Sequence, residues 1–138
     1  MNYLSLFSGI GGLDLAAHWA GFSPVAFVEQ DQFCQKVLAK HWPGVAIFND
    51  VRTFNAAQFL GITLIIGGFP CQDISAAGKG AGIDGERSSM WKHMARIVGE
   101  VRPRFVFVEN SPMLLVRGLG SVLADLAAMG YGCKWGVL

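Results

Sequence analysis

Five times along this chain a short apolar run stops abruptly at a glycine or a polar residue. Tyr3 to Phe7 runs into "SGIGGLD", Val25 to Val28 into "EQ", Val45 to Phe48 into "ND", Thr63 to Ile66 into "GGFPCQ", and Phe105 to Val108 into "EN". Apolar runs this short and continuous read as strands covered on both faces. Helical patterns lie between them, at Gly12 to Ala20, Asp31 to His41, weakly at Phe54 to Leu60, Ser88 to Val101, and Leu119 to Met129 closed by Gly130. Asp31 is a natural N-cap, its carboxylate accepting from the first free N–H groups. Trp91, Met94, Ala95 and Val98 share one helical face. A further strand is expected to start within Tyr131 to Leu138. Strand and helix in this alternation predict an α/β fold around a mostly parallel sheet. Ligands of such sheets bind outside the carboxyl ends of the strands, where all five polar terminations fall.

The chain has 138 residues, 52% of them hydrophobic, which is enough for one domain with a real core. It shows no apolar stretch of membrane-spanning length and no secretory leader, so a soluble, cytoplasmic protein is expected. Cys34, Cys71 and Cys133 have no CxxC spacing, which points to neither a disulfide framework nor a zinc site. Cys34 and Cys133 read as small buried hydrophobes. Net charge is +1, but residues 79–104 carry six Lys or Arg against three acids. That excess could meet a polyanion or could be a solvated helix face.

In "FSGIGGLD" the glycines allow backbone to approach a ligand and let a helix begin tightly. A dinucleotide fingerprint would require glycine at position 14, where this chain has Asp14. A carboxylate there would compete with a pyrophosphate for the positive helix end, which favours a ligand without phosphates. Glu29 follows Gly11 by 18 residues and suits a pair of ribose hydroxyls. Asp50 could accept from an adenine amino group or simply cap a turn. Together these residues describe an adenosine pocket lacking phosphate ligands, for which S-adenosylmethionine is the natural occupant.

Cys71 differs from the other two thiols. Pro70 fixes the chain direction, Gly67 and Gly68 permit close approach, and the amides of Gln72 to Ala76 would favour thiolate. A nucleophile beside a methyl donor points to covalent catalysis on an unreactive acceptor. Glu109 follows four apolar residues, surroundings that would keep a carboxyl protonated and able to donate. A cysteine hydrolase pairing Cys71 with His93 would leave the adenosine-type acids unused.

"FSGIGG", "GGFPCQ" and "VEN", in this order and spacing, resemble the ordered motifs of the DNA cytosine-5 methyltransferases. "SAAGKGAG" and "ERSSMW" resemble that family's mobile catalytic loop and the segment after it. The resemblance implies a Rossmann-like S-adenosylmethionine-dependent methyltransferase fold acting on a cytosine flipped out of double-stranded DNA. It implies Cys71 as nucleophile, Glu109 as the group at N3, Asn110 as the residue orienting Glu109 or the Cys71 loop, and Arg87 near the base or its phosphate. It further implies Phe7, Gly9, Ile10, Gly12, Glu29, Asp50, Pro70 and Met90 around S-adenosyl-L-methionine.

Two departures qualify what is expected of this chain. Gln30 stands where many members carry an aromatic or apolar residue against the adenine. Family members also continue with a target-recognition region and final strands that have no counterpart before Leu138. The expectation is the N-terminal portion of an active methyltransferase, truncated or completed by a C-terminal complementing polypeptide, the alternative being a non-catalytic cofactor-binding or interaction module of the same fold.

Overall fold

The computed structural model describes residues 1–70 and 89–137. Its strands are β1 (Asn2–Leu6), β2 (Ser23–Val28), β3 (Ala46–Phe48), β4 (Leu64–Gly68) and β5 (Phe105–Glu109), in the order β3-β2-β1-β4-β5. Every pair is parallel. The helices are α1 (Gly12–Trp19), α2 (Gln32–His41), α3 (Ser89–Val101), the single turn α4 (Leu114–Arg117), and α5 (Leu119–Ala128).

Continuous apolar runs are needed because helices cover both faces. On one face Leu4, Leu6, Ala26, Val28 and Ile65 pack with Trp91, Met94, Ile97 and Val98 of α3 and with Val122 and Leu126 of α5. On the other, Tyr3, Leu64 and Ile66 meet Ala17 of α1. Trp42, just beyond α2, lies over Phe27 with ring centroids 5.5 Å apart. Trp91 is fully buried, and its indole N–H donates to Asp125 at 2.7 Å, joining α3 to α5. A buried indole needs such a partner for its one donor.

The chain winds outward from β1 to β3 and then returns across the sheet to β4. The reversal between β1 and β4 is the switch point at which open parallel sheets bind ligands. The far end of the sheet is less covered. Val106 and Val108 of β5 pack into the core, whereas Phe105 and Phe107 are 49% and 47% exposed. They pair with Leu64 and Ile66, which puts them on the α1 face.

Several expectations are corrected. Residues 131–137 form no strand. The segment is tied by the Tyr131 hydroxyl donating to the Pro103 carbonyl at 2.7 Å, and Gly132 and Gly136 weaken any preference for extended pairing. The weak helix at Phe54 to Leu60 is only a 3-10 turn over Ala56–Phe59, opened by the Asn55 side chain accepting from Ala57 N–H. Neither described cysteine is a core residue: Cys34 is half-buried in the first turn of α2 and Cys133 is exposed. The basic excess is partly structural. Arg96 and Arg102 both donate to backbone carbonyls, while Lys79 and Arg87 lie outside the described residues. No helix among the described residues is long and apolar enough to cross a membrane.

Candidate active site

Strand register builds the site. Leu6 is level with Val28 and with Gly67, Val28 with Phe48, and Gly68 with Glu109. One residue further along, Asn49, Glu29, Phe7, Gly68 and Glu109 therefore form a row across the carboxyl edge of the sheet.

At the end of β1 the chain turns sharply. Phe7 has φ 53°, a left-handed conformation that costs a residue with a side chain about 1 kcal/mol. Gly11 N–H donates to the Ser8 carbonyl at 3.0 Å and closes the turn. Gly11 itself has φ 91°, and a Cβ there would sit 2.6 Å from the Trp42 ring. Glycine is required by both conformation and space. α1 then starts with no side-chain cap, so its first N–H groups keep free hydrogen-bonding capacity.

Gly9 N–H donates to Glu29 Oε2 at 2.7 Å, and Asp31 N–H donates to Oε1 at 2.8 Å. Asp31 in turn accepts from Cys34 N–H at 2.9 Å, the expected cap of α2. Gln35 of α2 donates to the Glu29 carbonyl and to Asn49 Oδ1, both at 2.6 Å. Glu29 is thus half-buried, fixed at both oxygens, and retains lone pairs toward the edge.

Of its two expected roles, Asp50 visibly takes the turn cap. It caps a turn, accepting from Arg52 N–H at 2.9 Å, and the Arg52 guanidinium grips both its oxygens at 2.8 to 3.0 Å. These hydrogen bonds from Arg52 hold the Asp50 carboxyl below its ordinary value. His93 of α3 lies within electrostatic reach of Asp50, Arg52 and Arg96, and burial first, then Arg96, lowers its imidazole pKa.

Asp14 does not face the ligand edge as the sequence suggested. It is fully buried against β1, and neither carboxylate oxygen has a hydrogen-bond partner within ordinary geometry. Burial raises its pKa, with Ser5 and Tyr3 nearby opposing. Asp14 and Ala17 share the buried face of α1, so helix rotation, not proximity to the dipole, decides where this acid points. Competition with a phosphate at the helix start is therefore not its role.

At the other half of the row, Cys71 and Arg87 lie outside the described residues, as do the "SAAGKGAG" segment and the amides of Gln72 to Ala76. Their flanks are described. Phe69 is buried with its ring 5.6 Å from Trp91, and Pro70 is exposed beyond it. Asn110 Nδ2 donates to the Phe69 carbonyl at 2.9 Å, and its Oδ1 accepts from Ser111 N–H at 2.8 Å. Asn110 thus pins the β4 exit, two residues before Cys71, to the end of β5.

Glu109 is exposed, not enclosed by the apolar residues preceding it, because β5 is the edge strand. Its Oε2 would be 2.8 Å from a Cβ at Gly68. The second glycine of "GGFPCQ" therefore makes room for the acid of "VEN". Met90 is half-buried against the core at the start of α3, while Ile10 and Gly12 are exposed on the glycine turn. Gln30 is exposed beside Glu29. Sequence reasoning missed Gln35 and Arg52, which carry no motif signal, and the steric role of Gly68, which the paired glycines hinted at. Among the described residues no group of three or more His, Cys, Asp or Glu could hold a metal ion.

The family model described as C-5 cytosine-specific DNA methylase matches residues 1–138. The chain is 36% identical over 133 residues to the type II methyltransferase M2.BsuMI of Bacillus subtilis, covering 94% of this chain and 34% of that protein. It is 37% identical over 134 residues to the type II methyltransferase M.CviJI of Paramecium bursaria Chlorella virus IL3A, covering 96% and 36%. A prophage-encoded E. coli protein, described as a candidate DNA modification methyltransferase, superposes with a TM-score of 0.75 at 30% identity over 94% of this chain and 37% of that one. The chain spans about a third of the length of these relatives.

Proposed function

The chain belongs to the C-5 cytosine-specific DNA methylase family, and from that premise we propose that it is the cofactor-binding and nucleophile-bearing portion of a DNA cytosine-5 methyltransferase. The observation that carries this reading is the row of strand ends, with Glu29 fixed beside the glycine turn and Glu109 lodged against Gly68.

The residues of the glycine turn fit S-adenosylmethionine. The fixed carboxylate of Glu29 suits two ribose hydroxyls, Asp50 suits an amino donor, and the uncapped start of α1 suits the carboxylate of the methionine part. Phe7, Gly9, Ile10, Gly12, Pro70 and Met90 complete the surroundings. Bound there, the cofactor supplies an electrophilic methyl group next to the β4 exit.

The chain's own residues do the rest. Cys71 thiolate adds to C6 of a cytosine flipped from double-stranded DNA, and Glu109 donates a proton to N3 as charge develops there. The C6 bond makes C5 nucleophilic toward the methyl group that S-adenosylmethionine would supply, with S-adenosylhomocysteine as the leaving product. Loss of the C5 proton to water, expulsion of Cys71 as thiolate and return of the N3 proton to Glu109 restore the ring. Asn110 keeps the β4 exit and the Glu109 strand in fixed relation, and Arg87 contacts the flipped base or its phosphate.

Double-stranded DNA is the substrate in this reading, and a further polypeptide completes the sheet at β5. The half-exposed Phe105 and Phe107 on a parallel edge strand support that second partner. Incubation with 5-fluorocytosine DNA and S-adenosylmethionine, with and without a C-terminal fragment of a relative, tests the proposal. A covalent adduct lost in Cys71→Ala is expected. An adduct that survives Cys71→Ala would sink the nucleophile assignment, and no adduct under any combination would favour the non-catalytic module instead.

A further inference from the structure

The turn after β3 packs Val51 and Phe54 into the core and is hydrogen-bonded by one side chain from a distant helix. Arg96 of α3 donates from Nη2 to the carbonyls of Val51 at 2.9 Å and Phe54 at 3.3 Å, and from Nη1 to Glu100 at 2.9 and 3.1 Å. Val51 and Phe54 are buried, so carbonyls at the rim of that cluster need a donor from the protein or from water. The two carbonyls bracket Arg52 and Thr53, the residues that fold back onto Asp50: Arg52 N–H donates to Asp50 Oδ1 at 2.9 Å, and Thr53 N–H to the Asp50 carbonyl at 3.3 Å. A single amino group of Arg96 therefore ties the carbonyls on both sides of Arg52 and Thr53 to α3. Only a planar guanidinium offers two carbonyls and a carboxylate this many directed donors; a lysine ammonium cannot keep the same geometry.

From this geometry we propose that Arg96 is a positioning residue for cofactor binding, holding Asp50 where it can accept from the adenine amino group. The inference rests on the reading that Asp50 faces the adenosine, and it adds a residue more than forty positions away along the chain. The link has a second consequence. α3 begins directly after the segment carrying Cys71 and Arg87, so Arg96 joins the adenine side of the site to the helix that receives the nucleophile's segment.

Calorimetric titration with S-adenosylhomocysteine tests the proposal, with far-UV circular dichroism to verify folding of each variant. Arg96→Met and Arg96→Lys should each weaken binding about tenfold, the size expected on losing hydrogen bonds from a charged group. Glu100→Gln, which leaves both carbonyl contacts intact, should bind as the unaltered chain does. Asp50→Ala should show a similar loss, and the double variant with Arg96→Met should lose no more than the weaker single variant, since both act through one turn. Unchanged affinity in Arg96→Met and Arg96→Lys would overturn the proposal, as would losses that multiply fully in the double variant. If Arg96→Met fails to fold, Arg96→Lys decides alone. Absence of binding by the unaltered chain would remove the cofactor reading and this inference together, whereas unaltered binding by both Arg96 variants removes this inference only.

Discussion

Glu29 and Glu109 occupy the same row of the same sheet, yet their surroundings differ sharply. Glu29 ends β2, an inner strand, and each of its oxygens accepts a backbone N–H. Glu109 ends β5, an edge strand with two half-exposed phenylalanines, and stands exposed beside Gly68. The half built from β1 and β2 is finished by local contacts: a glycine turn resting on Trp42, a capped α2, and Gln35 bridging two strand ends. The half built from β4 and β5 has its backbone pinned by Asn110, but its acid and its outer face are exposed. Cofactor binding and base chemistry therefore make different demands on completeness. Under the proposed function the first draws on the finished half, and the second on the half whose acid and outer face are exposed.

The change that should break the self-contained half most severely is Gly11→Ala. A Cβ 2.6 Å from the Trp42 ring at φ 91° should combine overpacking with left-handed strain, for about 3 kcal/mol lost in urea unfolding. In the other half, Gly68→Ala should leave stability and cofactor affinity nearly unchanged while displacing the Glu109 carboxylate. Adduct formation with 5-fluorocytosine DNA, assayed with a completing fragment present, should fall at least about tenfold, as small misplacements of catalytic groups do. Equal damage to cofactor binding would show that the two halves are not separable.

A smaller effect concerns Asp14, which lies beneath the cofactor half and not at its surface. Its folded pKa is raised above the ordinary carboxyl value of 3.8, so the folded state keeps a proton that the unfolded chain has already lost. Stability from this group is present below pH 3.8 and falls as pH rises through the raised value. Asp14→Asn should remove that slope. The difference in unfolding free energy between variant and unaltered chain, followed by urea denaturation upward from about pH 4, should shift steadily in favour of the variant.

The same contrast separates what was legible in the sequence from what was not. The parallel sheet was legible because strands covered on both faces must be continuously apolar, and the polar stops then had to share one edge. The Asp31 cap and the buried face of α3 were legible for similarly local reasons. Asp14 was misread because its direction depends on the rotation of α1, set by Gly11 against a tryptophan more than thirty residues away. Glu109 was misread because four apolar residues predict burial only if something covers the strand, and strand order is not a local property. Arg96 was counted only as part of a basic excess, since nothing in a linear sequence marks a guanidinium for two carbonyls over forty residues distant.

The central claim, that this chain carries a cofactor site anchored on Glu29 and independent of Glu109, is tested most directly by titrating S-adenosylmethionine into the isolated chain and its Glu29→Ala and Glu109→Gln variants. The expected result is saturable binding by the chain and by Glu109→Gln, with binding weakened about tenfold or more in Glu29→Ala. Binding that is absent from the isolated chain, or that Glu109→Gln weakens as much as Glu29→Ala does, would contradict it.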